Sequence, residues 1–258
     1  MSMINILFVG ESWSTTEVHT KGFDSFITSR YVEAGSAIRE ALNGGGLVLE
    51  YMPSHVAVEK FPDSLEGLSV YDVILFSDIG SNSLLLSKSV FLDGQTRPDR
   101  LSVLRDWISQ GGGFGMIGGY MSFQGIEGKA NYGNSALAEA LPVHLIQGDD
   151  RIETPQGSFA QGTSHGILDG VQGPWPPLLG YQRFRAREEA RTIASFDVDP
   201  LLVVGTFGSG RTLAYASDID AHWAPTGFTS WDGFSTMWRN AAHWLAGDYE
   251  LGLEGRLE

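Results

Sequence analysis

A series of short apolar runs, each broken off by Gly, Ser, Asp or Pro, constrains this chain more than any other feature. Ile4–Val9 runs into Gly10-Glu11-Ser12, Leu47–Met52 into Pro53, and Tyr71–Phe76 into Ser77-Asp78. Phe114–Ile117 runs into Gly118-Gly119, and Leu201–Val204 and Thr212–Ala216 come late in the chain. Unbroken apolarity over a few residues suits strands buried on both faces of a parallel sheet. Stripes of helical period lie between the runs. Val32–Leu42 carries Ala34, Ala37, Ile38, Ala41 and Leu42 and stops at Asn43-Gly44-Gly45-Gly46. Leu101, Leu104, Trp107 and Ile108 form a second stripe, Leu137, Ala140 and Leu141 a short third, and Phe234–Leu245 a terminal one. This alternation predicts an α/β fold with a mainly parallel sheet and helices on both faces. Residues 144–199, rich in Pro, read as an antiparallel excursion, and residues 1–258 as one domain without repeats or low-complexity segments.

Charge and composition exclude several functions. Acidic residues number 31 against 17 Lys and Arg, a formal charge of −14. Such a surface repels polyanions, so neither nucleic acid nor an anionic membrane is expected as a partner. No run approaches the ~18 apolar residues of a membrane span. The first Lys is Lys21 and the first apolar run is too short for a signal-peptide core, so a cytoplasmic protein is expected. There is no cysteine, which removes disulfides, thiolate metal sites and any thiol nucleophile.

In doubly wound sheets ligands sit outside the carboxyl ends of the strands, which ranks the remaining residues. Those ends carry Glu11, Ser12 and Trp13; Asp78, Gly80 and Asn82; Tyr120, Ser122 and Phe123; and Asp218, Asp220, His222 and Trp223. Gly113–Gly118 matches G-x-G-x-x-G, but a helix precedes it and a strand runs through it, the wrong order for a dinucleotide site. Gly118–Phe123 offers a turn that presents either Tyr120 as a polar aromatic or Ser122 as a hydroxyl nucleophile. Asp218, Asp220 and His222 would face one way if the chain stayed extended, and carboxylate beside imidazole suits a general base. One short triplet is not a full ligand set, so no metal and no cofactor are assigned. His19 lies in a long segment after Glu11, read as a loop able to fold over the strand ends. His165 reads as a turn residue and His243 as a helix-surface one, and Asp149–Glu153 reads as a solvated ion-pair cluster. Trp13, Trp175, Trp223 and Trp231, placed in loops, are the candidate ligand-contacting tryptophans.

These residues carry a family likeness. Gly10–Trp13, His19–Asp24, Phe76–Asn82, Gly111–Gly125, Asp149–Glu153 and Ser217–Trp223 resemble the glutamine amidotransferase-like proteins of the class I amidotransferase-like superfamily. More distantly, Gly111–Phe114 and Gly210-Arg211 resemble ThuA-like proteins, which are linked to sugar utilisation. The resemblance implies a flavodoxin-like three-layer α/β/α sandwich. True class I amidotransferases carry a Cys after a central strand and a His and Glu after a late one. By position Tyr120, or a neighbour in Gly118–Ser122, stands where the Cys would be and His222 near the His, with no Glu close behind. Thiol-dependent glutamine hydrolysis is therefore excluded, and the likeness speaks of ancestry.

Three readings follow. In the first, Glu11, Ser12, Trp13, His19, Asp78, Asn82, Phe123, Asp220 and Trp223 bind a small polar molecule, a carbohydrate among the options. In the second, His222 with Asp218 or Asp220, and Tyr120 or Ser122, serve a cysteine-independent hydrolase or isomerase. In the third, the chain is a noncatalytic assembly subunit or homo-oligomer joined through loop aromatics such as Trp223 and Trp231.

Overall fold

A computed structural model describes residues 3–248. Its strands are β1 (Ile4–Gly10), β2 (Ser12–Lys21), β3 (Asp24–Glu33), β4 (Leu47–Met52), β5 (Val73–Ser77), β6 (Gly113–Ile117) and β7 (Val143–Leu145). They continue as β8 (Arg151–Ser158), β9 (Gln161–Gly162), β10 (Leu178–Gln182), β11 (Phe184–Ala186), β12 (Arg191–Ser195), β13 (Pro200–Phe207) and β14 (Gly210–Tyr215). Eight of them form one sheet in the order β4-β1-β5-β6-β14-β13-β12-β9. The first five run parallel, and β13, β12 and β9 extend the sheet antiparallel. The apolar runs therefore become strands as their composition requires: Ile6–Val9 and Val73–Phe76 are sealed on both faces.

The helices cover the sheet in two groups. Ser36–Ala41 packs on the terminal helix Asp232–Leu245, while Ser54–Lys60, Ser81–Leu85 and Arg100–Ser109 pack on one another. The terminal helix buries Phe234, Met237, Trp238, Ala241, Ala242 and Leu245, the stripe expected of an amphipathic segment. Arg100–Ser109 starts where Asp99 accepts hydrogen bonds from the N–H groups of Leu101 and Ser102. An Asp99→Ala variant is expected to lose about 1 kcal/mol of stability, read from its urea midpoint. An unchanged midpoint would show that this cap contributes nothing.

The structure corrects three local expectations. The stripe over Val32–Leu42 is helical only from Ser36 to Ala41, because Gly35 adopts a left-handed conformation (φ +71°) and ends the preceding strand. The third stripe forms a 3₁₀ turn, Ala136–Glu139. The segment after Glu11 is no loop: β2 and β3 make a hairpin of ten registered pairs that stands apart from the main sheet. Within the excursion, β8 pairs with β10 and β7 with β11, both antiparallel.

Strand order reverses at β1. The chain leaves β1 for β4 on one side and returns to β5 on the other. The crevice beyond the ends of β1 and β5 is thus the topological switch point, where ligands of such sheets bind.

Candidate functional site

At that switch point the backbone is tight. Gly10 ends β1 at φ +112°, and Glu11 and Asp78, the residues that follow β1 and β5, both adopt φ +46°. Left-handed backbone is costly for residues with a Cβ and persists where surrounding bonds enforce it. Here they do. The Glu11 N–H donates to the Ser77 carbonyl, and the Glu11 carbonyl accepts from the Ala34 N–H and the Tyr51 hydroxyl. The Asp78 N–H donates to Ser122 Oγ, and its carboxylate accepts from the Met121 N–H at 2.6 Å.

These turns aim Glu11 and Asp78 into a pocket of about 310 Å³, completed by Trp13, Tyr120, Asp218, Asp220, Ala221 and His222. The third acidic contributor arrives after β14, where the chain turns rather than continuing extended. Asp218 accepts from the Ile219 and Asp220 N–H groups, and Asp220 from those of Ala221 and Gly35. That turn brings His222 Nδ1 to 3.4 Å from Asp218 Oδ2. The convergence of Asp218, Asp220 and His222 thus comes from a turn, not from strand alternation. Among the described residues His222 Nε2 has no hydrogen-bond partner, and the ring is 38% exposed.

Burial dominates the electrostatics. Glu11 is 2% exposed, and its carboxyl is pushed well above the usual range, first by burial and then by the neighbouring Asp218 and Asp78 charges. The hydroxyl of Ser77, donating to Glu11 Oε1 at 2.6 Å, opposes this only in part. Burial and the Asp218 charge raise Asp78 to about 6. Burial raises Asp218 as well, with the His222 hydrogen bond pulling the other way. All three acids therefore hold their protons to higher pH than free carboxyls do, which lets the pocket present both donors and acceptors.

A second layer holds the aromatic wall. Tyr120 meets the His222 ring edge to face, with centroids 3.9 Å apart, and His222 stacks on Trp223. Glu153 accepts from the Tyr120 hydroxyl and from Trp223 Nε1, and the Arg151 guanidinium lies over the Tyr120 ring. Asp150 is buried, accepts the N–H groups of Gln124 and Gly125, and is raised to about 6 by burial. Gln182 ties this turn together, receiving the Gly119 N–H and donating to the Ser122 carbonyl and to Asp150. The Asp149–Glu153 segment holds the expected ion-pair cluster, Arg151 pairing with exposed Asp149 and Glu153, while buried Asp150 and the bonds of Glu153 also support the aromatic wall. Alternation along β8 carries the signal, since it turns Arg151 and Glu153 to one face.

Several candidates stand elsewhere. His19 sits out on the hairpin, bonded to Thr28 and stacked on Phe26. Phe123 is fully buried against Phe184, so it offers no surface to a ligand. Ser122 is buried and its Oγ accepts the Asp78 N–H, so its hydroxyl holds the turn after β5 and does not line the pocket. Ser12 Oγ accepts the Ser54 N–H, and Asn82 lies exposed on the helix Ser81–Leu85; neither lines the pocket. Trp223 is 1% exposed and acts behind Tyr120 and His222 instead of touching a ligand. Trp175 and Trp231 pack on each other, away from the pocket. His165 caps the turn Gly166–Leu168, and His243 pairs with Asp248 on the terminal helix.

Comparison with known proteins places the chain. The family model described as "Putative glutamine amidotransferase" matches residues 5–247. The structure of the cytoplasmic protein STM3548 from Salmonella typhimurium is similar at TM-score 0.90 and 42% identity, covering 93% of this chain and 98% of that one. The cytoplasmic protein STM1381 from Salmonella typhimurium LT2 gives TM-score 0.90 and 43% identity, covering 94% and 99%. A ThuA-like protein from Parabacteroides merdae shares the fold alone, with TM-score 0.53 and 12% identity over 96% of this chain and 91% of that one. No curated protein matches the chain.

Proposed function

The chain belongs to the glutamine amidotransferase-like family, and we propose that its own site binds a small, polyhydroxylated or cationic molecule without thiol chemistry. One observation carries this reading. Carboxyl groups from three strand ends, Glu11, Asp78 and Asp218, meet in one pocket walled by Trp13 and Tyr120. Protonated carboxyls donate hydrogen bonds and ionised ones accept them, which matches the mixed demands of sugar or polyol hydroxyls. Aromatic walls suit the apolar faces of a sugar ring. A cation would instead displace the shared protons, while a phosphorylated ligand meets like charge. Cytoplasmic location belongs to the same proposal, and among the described residues no helix is long and apolar enough to cross a membrane.

A panel of monosaccharides, polyols and small amines, screened by thermal shift and followed by calorimetry, tests this. At least one class is expected to raise the melting temperature. Asp218→Asn is expected to weaken its binding about tenfold or more, the worth of one charged hydrogen bond. No response across the panel by a folded wild-type protein would overturn the proposal.

The 3.4 Å approach of His222 Nδ1 to Asp218 Oδ2 favours a second reading, acid–base chemistry on the bound molecule. The carboxylate would fix the ring tautomer and leave Nε2 to take a proton from the ligand. Deuterium uptake by the ligand in heavy water, lost in His222→Gln while binding persists, supports this reading; binding without exchange rules it out.

A further inference from the structure

The β2–β3 hairpin has no function in the site beyond its root, where Trp13 lines the pocket. Its base is anchored: Tyr31 meets His55 edge to face, and Ser12 receives the Ser54 N–H. Beyond that, the side-chain hydrogen bonds, ion pairs and ring contacts found for residues 15–30 stay within the arm. They are Thr16 with Ser29, His19 with Thr28, Glu17 and Phe26, and Lys21 with Phe26. An isolated two-stranded ribbon is marginally stable in water and keeps both outer edges unpaired.

This arm also spends apolar side chains on solvent. Val18 and Ile27 are directly paired and 68% and 66% exposed, Tyr31 shares their face, and Phe23 at the tip is fully exposed. A monomer gains nothing from such a row. We propose that the arm is an exchange element: two copies of this chain dimerise by each laying its hairpin on the body of the other, with Val18, Ile27 and Phe23 as anchors.

Area selects this occupant and geometry. Ten residues per strand and two strand widths make each arm face about 340 Å². Two arms pressed only on each other would bury two such faces, about 700 Å², the size of a casual contact. Reciprocal exchange buries two arm faces and two matching patches on the bodies, about 1,400 Å², the size of a stable interface. Such a two-fold arrangement is closed, and it satisfies both arms at once. It also fixes the far end of the strand that carries Trp13, so the pocket wall and the assembly share one element.

Sedimentation velocity on the full chain at tens of micromolar tests the proposal. The wild type is expected to have the mass of two chains. Val18→Lys/Ile27→Lys, which changes only exposed positions, is expected to have the mass of one, with circular dichroism unchanged and dimer affinity at least about 100-fold weaker. Because the chain has no cysteine, Phe23→Cys carrying a maleimide photo-crosslinker reports what the tip touches. Crosslinks to body residues of a second chain support exchange, and crosslinks confined to the other arm overturn it. A wild type that sediments as one chain, or a double variant that keeps the dimer mass, also overturns it. So does a single-chain mass combined with binding to phosphatidylcholine vesicles, which assigns the arm to a lipid surface.

Discussion

Gly10→Ala is expected to be among the most damaging single substitutions in this protein, costing about 4 kcal/mol or preventing folding altogether. A Cβ at Gly10 would sit 1.8 Å from the Ser77 carbonyl oxygen and 3.2 Å from the Ile79 Cβ. Neither neighbour is free to retreat, because that carbonyl receives the Glu11 N–H and closes β1 onto β5. The φ of +112° adds its own cost for any residue with a side chain. Gly94→Ala separates the two effects. Gly94 also has positive φ, +63°, but an added Cβ there meets nothing within 4 Å. Its loss should stay near 1 kcal/mol, the conformational part alone. Urea midpoints of the two variants that agree within error would show that the close approach of β1 and β5 is not what demands glycine.

Glu11→Gln is expected to act in the opposite direction, stabilising the protein above neutral pH while weakening the site. The sign follows from proton linkage. Glu11, Asp78 and Asp218 all have folded-state values above their ordinary ones, so between those limits the folded state holds more protons than the unfolded. Their contribution is present below the ordinary carboxylate range and is lost as pH rises through the folded values. For Asp78 that window runs from 3.8 to about 6. At 1.36 kcal/mol per unit, partial exposure reduces its share to about 2 kcal/mol. Wild-type stability measured by urea at a series of pH values should therefore fall from pH ~4 to ~6. Glu11→Gln should flatten that fall and raise stability at its alkaline end. The fall will not vanish, because Asp150 is also raised to about 6. Stability that is constant or rises over this range would refute the shared-proton picture. A gain in stability paired with weaker ligand binding is the trade expected where a site retains repulsion for function.

Residue order makes the parallel part of the sheet legible for a simple reason. A strand covered on both faces must be apolar along its length, and it must end where polar groups reach water. Ile6–Val9 and Val73–Phe76 obey that rule, so residue order alone marks Glu11 and Asp78 as strand-end residues. The hairpin was less visible because its strands are covered on neither face. Ser12–Lys21 is mostly Ser, Thr and charged residues, which resembles a loop by composition. The available signal was β-branched alternation around Gly22-Phe23, with Gly22 at φ +64° in the turn.

Position along the chain thus determined which groups stand at the carboxyl edge of the sheet, and the absence of cysteine determined what chemistry they cannot perform. Which of those groups share a pocket was a tertiary outcome. Glu11, Asp78 and Asp218 are far apart in sequence, and only the reversal of strand order at β1 and the turn after β14 bring them together. The same packing took Phe123, Ser122 and Trp223 out of the pocket lining, because a turn at a strand end has an inner side as well as an outer one. It also created the shifted acidities. Sequence lists carboxyl groups, but their protonation depends on burial and on one another, and both are properties of the folded arrangement.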